Sequence, residues 1–201
     1  DTVLSSITFA LGASLENLTL SGMNSISGTG NELANLITGN AADNMIDGGT
    51  GADMLIGGAG KDTYMVGEEG DQITEFENEG LDTVISAVNF TLGAHLENLT
   101  LTNTAATIGI GNQLSNTVTG NSAGNFLDGG AGVDTLIGGE GDDVYLVDDV
   151  SDVVIENEDE GIDTVSSSVS YTLGLNLENL TLTGTSAIAA TGNALNNLLV
   201  G

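Results

Sequence analysis

The chain of 201 residues carries 29 Asp and Glu residues against one Lys or Arg, a formal charge of −28, and it contains no Cys and no Pro. Binding to nucleic acid phosphates requires Lys and Arg, so this charge excludes nucleic acid as a partner and argues against an anionic membrane surface. A compact chain with this charge repels itself unless cations neutralise it, and the lack of Cys excludes disulfides and thiolate metal sites.

The apolar and glycine content predicts a folded domain rather than a disordered acidic tail. Apolar residues make up 40% of the chain, and 30 residues are Gly. No apolar run of about 18 residues is present, so we expect no transmembrane helix and no membrane insertion. The repeat pattern is already under way at Asp1 and is interrupted at Gly201, so we expect the chain to belong to a longer repeat array.

The first segment, residues 1–29, predicts short β-strands. Val3, Ile7 and Phe9 alternate roughly with Ser and Thr, and no apolar period of 3.6 residues persists along the segment. The absence of Pro suits uninterrupted strand ladders. We therefore expect an all-β chain without a helix of ordinary length.

Residues 30–65 and 111–146 divide into consecutive blocks of nine residues. The full pattern is Gly-Gly-x-Gly-x-Asp-x-U-x, where U is a large apolar residue, and it occupies residues 48–56, 57–65, 129–137 and 138–146. Three glycines in four positions allow a tight turn with positive φ. Positions six and eight share a face of the strand, so the Asp reaches an ion in the turn while the apolar residue packs a thin core. Carboxylate and backbone carbonyl oxygens are hard ligands that suit Ca²⁺.

Each pair of full blocks is flanked by degenerate ones. The blocks before them, such as 30–38, carry Asn at positions two and six. Asn tolerates the left-handed conformation, so we expect the turn to survive, but its neutral amide binds calcium more weakly than a carboxylate. These blocks are therefore expected to hold little metal or to share a site with a neighbouring Asp. After the full blocks, Asp71 falls at position six, and Asp82 ends a further turn-like segment shifted by two residues.

A longer repeat spans the whole chain. Asp1-Thr2-Val3 recurs at Asp82 and again at Asp163, with the same offset both times. We predict one continuous solenoid over residues 1–201, built from units 1–81 and 82–162 and a partial unit 163–201. Because a full unit equals nine nonapeptides and two nonapeptides make one coil, each unit should be rotated by half a turn from the previous one.

The glycine-rich blocks resemble the RTX (haemolysin-type calcium-binding) repeats of secreted bacterial proteins. The resemblance implies a right-handed parallel β-roll or β-solenoid with calcium ions in the glycine-rich turns, each ion linking blocks that are two apart. The implied pairs of ligands are Asp53 with Asp71, Asn44 with Asp62, Asp134 with Asp152, and Asn125 with Asp143. The implied carbonyl ligands are those of Gly49, Gly51, Gly58, Gly60, Gly130, Gly132, Gly139 and Gly141. Asp82 and Asp163 are further candidates, for which a solvated acidic side chain is an equally good interpretation.

Catalytic chemistry finds little support in the sequence. The single histidine, His95, is replaced by Ser14 and Asn176 in the other units, and without Cys no nucleophile–base pair or zinc site is available. Two carboxylates of a hydrolase remain formally open, but an active site need not recur at every turn. We therefore expect no catalytic residue and no enzyme.

The resemblance implies type I secretion, with folding outside the cell where calcium is millimolar. Our leading hypothesis is a calcium-binding structural repeat region of a long secreted bacterial surface or matrix protein, such as an adhesin stalk, an S-layer or a self-assembling filament. Its partners would be calcium ions, with end-to-end self-association or attachment to surface and matrix components left open. The alternative is a carboxy-terminal RTX module that aids the folding and secretion of an exoenzyme or toxin.

Overall fold

A computed structural model describes residues 1–105 and 107–201. Within these ranges every regular element is a β-strand, and the strand pairs are parallel. No helix in the described part of the chain is long and apolar enough to cross a membrane. The predicted all-β, parallel β-solenoid class is therefore confirmed.

The chain forms two compact units, Asp1–Val88 with Leu92–Asn98 and Asn89–Thr91 with Leu99–Gly201. We describe each unit by itself. One continuous solenoid built from units 1–81, 82–162 and 163–201 remains a prediction.

In the first unit, consecutive strands alternate between two sheets, so that two strands make one coil. The strands are β1 (Thr2–Ser5), β2 (Phe9–Ala10), β3 (Asn17–Leu20), β4 (Ser27–Asn31), β5 (Leu36–Thr38), β6 (Met45–Gly49), β7 (Met54–Ile56), β8 (Thr63–Val66), β9 (Gln72–Thr74) and β10 (Thr83–Ser86). One sheet has the order β1-β3-β5-β7-β9, and the other contains β2, β4, β6, β8 and β10 in that order. The strands β1 and β10, which have equivalent sequences, lie in different sheets. The half-turn relation between whole repeat units remains a prediction.

The strand register shows that the coils differ in length. Leu36 lies opposite Met54, and Met54 lies opposite Gln72, so each nonapeptide coil consists of two blocks of nine. The coil that pairs Thr2 with Asn17 is shorter than this, and the coil that pairs Thr63 with Thr83 is longer. The strand pairing is therefore kept, and the differences in coil length lie in the turns between the strands.

The core of the first unit is a thin layer between the two sheets. Leu18, Ile37 and Leu55 are fully buried on one sheet, and each lies opposite the next across the strand ladder. Position eight of each nonapeptide supplies such a residue, as predicted, and burial of one large aliphatic side chain stabilises the fold by about 1.5–3 kcal/mol. The layer is narrow at Gly28, where an added Cβ would lie 3.0 Å from Leu18 Cδ2 and the neighbouring side chains would have to shift.

The second unit repeats this construction. Its strands are β11 (Phe90–Thr91), β12 (Asn98–Leu101), β13 (Ile108–Asn112), β14 (Thr117–Thr119), β15 (Phe126–Gly130), β16 (Thr135–Ile137), β17 (Val144–Val147), β18 (Val153–Ile155), β19 (Thr164–Ser167), β20 (Tyr171–Thr172), β21 (Asn179–Leu182), β22 (Ala190–Thr191) and β23 (Leu198–Val200). We count β12 in this unit because most residues of the strand belong to it. The sheet orders are β12-β14-β16-β18, β11-β13-β15-β17-β19-β21-β23 and β20-β22. Leu127, Tyr145 and Val165 form one fully buried row of its core.

Candidate metal sites

The glycine-rich turns adopt the backbone that their sequence predicts. Positions two and four of the first full block, Gly49 and Gly51, have φ of 86° and 122°. The other full blocks agree, with positive φ at Gly58, Gly60, Gly130, Gly132, Gly139 and Gly141. Residues other than glycine are strained at such φ angles, so the turn conformation depends on these glycines.

The degenerate turns work differently from our expectation. Asn31 and Asn40 do not have positive φ, so the prediction of a left-handed Asn in these turns was wrong. Instead the Asn31 side chain closes the turn by accepting the N–H of Leu33 at 2.8 Å. Its amide nitrogen donates to the carbonyl of Gly12 in the preceding coil at 2.7 Å. A side-chain turn with a bond between coils replaces the glycine conformation.

Side chains at position six link successive coils into a short ladder. Oδ1 of Asp53 accepts the backbone N–H of Asn35 at 2.8 Å, and Oδ1 of Asp71 accepts the N–H of Asp53 at 3.1 Å. The second unit repeats these contacts. Oδ1 of Asp134 accepts the N–H of Asn116 at 2.7 Å, and Oδ1 of Asp152 accepts the N–H of Asp134 at 3.0 Å. The structure thus brings together Asp53 with Asp71 and Asp134 with Asp152, the pairs that the family resemblance implies.

A longer ladder runs through the turns on the other side of each unit. Oδ1 of Asp62 accepts the N–H of Asn44, and Oδ1 of Asp82 accepts the N–H of Asp62, both at 2.7 Å. Glu97 continues this ladder, because its Oε2 accepts the N–H of Asp82 at 2.9 Å. The equivalent ladder of the second unit is Asn125, Asp143, Asp163 and Glu178. Sequence reasoning missed Glu97 and Glu178, although their place in the recurring Leu-Glu-Asn motif was a usable signal.

In six of these carboxylates the second oxygen has no hydrogen-bond partner. This holds, within residues 1–105 and 107–201, for the buried Oδ2 atoms of Asp53, Asp62, Asp71, Asp82, Asp134 and Asp143. Asp62 and Asp82 are each only 1% exposed. An unpaired buried carboxylate is costly, and a hard cation satisfies it. The only Lys, Lys61, is exposed, so the neutralising cation has to come from solution.

Burial raises the pKa of the ladder carboxylates. Loss of hydration raises the pKa of Asp62 and of Asp143 to about 7, and neighbouring carboxylates add to the rise. The same cause raises the pKa of Asp134 and of Asp163 to about 6, and it raises the pKa of Asp53 as well. A bound cation acts in the opposite direction, because it favours the charged carboxylate.

The asparagines of the ladders are satisfied by the protein itself. Oδ1 of Asn44 accepts the N–H of Asn40 at 2.7 Å, and its amide nitrogen donates to the carbonyl of Ile26 at 2.9 Å. The amide therefore links its own turn to the preceding coil without a cation. Asn44 and Asn125 remain predictions as ligands, and their blocks fit the expectation of turns that hold little metal.

Backbone carbonyls also lie beside the turns. A Cβ at Gly80 would overlap the carbonyl oxygen of Gly60, one of the predicted ligands, and Gly161 has the same relation to Gly141. At Gly30 a Cβ would overlap the carbonyl of Gly48 and Oδ1 of Asn35. The carbonyl of Gly48, at position one of its block, therefore also borders a turn, and the carbonyl ligands at positions two and four remain predictions.

A third carboxylate joins the longer ladder in each unit. Carboxylate oxygens of Asp62, Glu75 and Asp82 lie within 4.8 Å of one another, and Asp143, Glu156 and Asp163 form the same group. Burial raises the pKa of Glu75 and of Glu156 to about 8. Sequence reasoning missed both residues as candidates. The nine-residue count was the available signal, since it places Glu75 at position one of the block after residues 66–74.

Comparison with known families agrees with this geometry. The family described as RTX calcium-binding nonapeptide repeat matches the chain in four copies, over residues 29–72 and 110–145. A search of curated proteins gives no match. The matched segments contain the four full glycine-rich turns with positive φ, and they contain Asp53, Asp62, Asp71, Asp134 and Asp143, each with an unpartnered oxygen. RTX repeats bind Ca²⁺. The chain therefore carries RTX calcium-binding nonapeptide repeats over residues 29–72 and 110–145, and these form a calcium-binding β-roll repeat region.

Proposed function

We propose that this chain is a calcium-dependent structural segment of a long secreted bacterial surface or matrix protein, such as an adhesin stalk, an S-layer or a self-assembling filament. The observation that carries the proposal is the recurrence of the same carboxylate ladder at equivalent positions of two successive repeat units. A linear array uses each copy in the same way, whereas a catalytic site needs to be built only once. The segment itself has no catalytic role.

We assign the calcium ligands to the turn residues that the ladders bring together. The carboxylate ligands are Asp53, Asp62, Asp71, Asp82, Asp134, Asp143, Asp152 and Asp163. Carbonyl oxygens of the glycine-rich turns complete these sites, and Asn44 and Asn125 contribute at most a neutral oxygen. Support comes from the unpartnered oxygen of six of these residues, all except Asp152 and Asp163, which a hard cation in the turn would coordinate.

Calcium would also control where the chain folds. With one Lys against 29 acidic residues, the metal-free ladders hold buried like charges close together. Such a chain stays unfolded where calcium is scarce and folds where calcium is millimolar, because binding free energy is then available to folding. This fits type I secretion followed by folding outside the cell.

The proposal is tested by far-UV circular dichroism and light scattering during a calcium titration, with magnesium as the control. We expect calcium alone to convert a disordered chain into β-structure. Growth in particle size at the same calcium concentration supports a self-assembling filament, and a constant monomer size argues against it. A chain that is already β-rich in chelator and ignores calcium would overturn the proposed dependence.

The sequence of the complete protein separates the structural role from the alternative one. Many further copies of the long repeat unit favour the stalk, layer or filament. A catalytic domain upstream favours a carboxy-terminal module that aids the folding and secretion of an exoenzyme or toxin.

A further inference from the structure

We infer that each unit holds a calcium site of a second kind, a tricarboxylate site made by Asp62, Glu75 and Asp82 in the first unit and by Asp143, Glu156 and Asp163 in the second. The inference rests on the proposed function, because it assigns the same ion to a different set of ligands. Glu75 and Glu156 both lie beyond the segments that match the nonapeptide family, which end at residues 72 and 145.

The oxygen atoms of this site converge on one small space. In the second unit a Cβ at Gly138 would overlap the Tyr145 hydroxyl and Oδ2 of Asp143, and it would lie 2.5 Å from Glu156 Oε1. In the first unit a Cβ at Gly57 would meet the corresponding atoms of Tyr64, Asp62 and Glu75. The space exists because a glycine without a side chain occupies position one of the block.

These converging groups lack partners although they are buried. Glu156 is 7% exposed, and in the described part of the chain neither of its carboxylate oxygens has a hydrogen-bond partner. The same is true of the hydroxyl of Tyr145, a residue with no exposed surface, and of Oδ2 of Asp143. In the first unit Glu75 Oε2 is unpartnered, while its Oε1 accepts a hydrogen bond from Tyr64. One hard cation in this space would satisfy all of these oxygens.

A local change in coil length makes room for the glutamate. The N–H of Asp53 reaches the carboxylate of Asp71 18 residues on, whereas the N–H of Asp62 reaches that of Asp82 20 residues on. The nine-residue count places Glu75 at position one, where the full blocks have glycine, and the two extra residues lie between Glu75 and Asp82. The turn that holds Glu75 is therefore longer than the nonapeptide turns.

The ligand charge distinguishes this site from the turn sites. Three carboxylates carry three negative charges, against two for the pair Asp53 and Asp71. Calcium affinity rises with the number of charged ligands, so we expect the tricarboxylate site to be the tighter one. A trivalent lanthanide would neutralise it fully, which makes Tb³⁺ a suitable probe. Tyr64 and Tyr145 lie against the site and can transfer excitation energy to bound Tb³⁺.

The experiment compares the full wild-type chain with the variant Glu75→Gln/Glu156→Gln. The matched control is Glu77→Gln/Glu158→Gln, which removes the same charge two residues away at exposed positions. Each chain is folded in calcium, checked by circular dichroism, and analysed for bound calcium by mass spectrometry after gel filtration. Terbium emission excited through tyrosine is then titrated.

We expect the control to match wild type and Glu75→Gln/Glu156→Gln to bind two fewer ions, with at least a tenfold loss of tyrosine-excited emission. Tyr64→Phe/Tyr145→Phe should lose the emission and keep the ions. Should the double glutamine variant not fold, Glu75→Gln alone is expected to bind one ion fewer. Unchanged ion counts in glutamine variants that still fold in calcium overturn this inference alone. A wild-type chain that ignores calcium overturns the proposed function.

Discussion

The backbone N–H of Asp62 donates a hydrogen bond to Oδ1 of Asp82, which lies 20 residues further along the chain at 2.7 Å. Oδ2 of the same Asp82 is buried and has no partner in the described part of the structure. Asp82 therefore holds the preceding coil with one oxygen and leaves the other for a cation, and Asp53, Asp62, Asp71, Asp134 and Asp143 do the same. The contact between coils and the binding of calcium depend on the same side chains.

Substitution of a ladder carboxylate by its amide should separate these two roles. Asp62→Asn/Asp143→Asn keeps an acceptor for the N–H of Asn44 and Asn125 but removes the charge that binds calcium. We expect the calcium midpoint of folding, measured by circular dichroism, to rise about tenfold, a change of about 1.4 kcal/mol in binding. Glu68→Gln/Glu140→Gln, at exposed positions, should leave the midpoint near that of wild type. An equal shift in this control would mean that net charge, and not ligation, sets the midpoint.

The ends of the longer ladders allow a test of the hydrogen bonds themselves. Glu97→Ala removes the acceptor for the N–H of Asp82, which is left buried and unpaired. We expect the free energy of unfolding in saturating calcium to fall by about 1–3 kcal/mol, measured by urea denaturation. Glu97→Gln keeps the acceptor and should recover most of the loss. If both variants lose the same stability, the charge of Glu97 matters more than its hydrogen bond.

The calcium-free chain should become more stable as the pH falls. Burial raises the pKa of Glu75 from 4.5 to about 8 and that of Asp62 from 3.8 to about 7. The folded state therefore binds protons more tightly than the unfolded one. This stabilisation is complete below the ordinary values of 3.8 and 4.5 and is lost as the pH rises through about 7 to 8.

In chelator we accordingly expect more β-structure at about pH 5 than at about pH 8 by circular dichroism. Calcium affinity should show the opposite dependence and be lower at about pH 5 than at about pH 8, because at the lower pH the ion has to displace protons from the carboxylates. A calcium midpoint that does not change between these two conditions would contradict this prediction.

Two glycines of the first unit provide a matched pair of variants. A Cβ at Gly57 would overlap Asp62 and Tyr64, whereas a Cβ at Gly67 would have only Gly49 O near it, at 3.9 Å. Neither glycine has positive φ, so the comparison isolates the effect of space. We expect Gly57→Ala to raise the calcium midpoint at least tenfold and Gly67→Ala to leave it within about twofold, a difference of roughly 1 kcal/mol or more. Similar behaviour of both variants would show that the space beside Gly57 is not needed.

The sequence predicted those features of the fold that depend on the nine-residue period. The spacing of Asp53 and Asp71, the inward Leu55 and the positive φ of Gly49 all follow from it. The contacts of Glu75 and Glu97 did not follow, because they arise where the coils are 20 and 15 residues long. There the coils depart from the eighteen-residue length, so the nine-residue period alone does not give the partner of each residue. Asn31 was misread for a related reason, since its side chain bonds to a coil that the local sequence does not specify.

The ladders also have a polarity. At each step from Asp53 to Asp71 or from Asp62 to Asp82, the earlier residue gives the N–H and the later residue gives the carboxylate. A coil made during synthesis from the amino terminus thus stays unfinished until the next coil arrives. A chain delivered carboxy terminus first would instead present each new coil with an acceptor already in place. The direction in which the chain emerges therefore decides whether each newly formed coil finds its carboxylate acceptor at once or has to wait for the next coil.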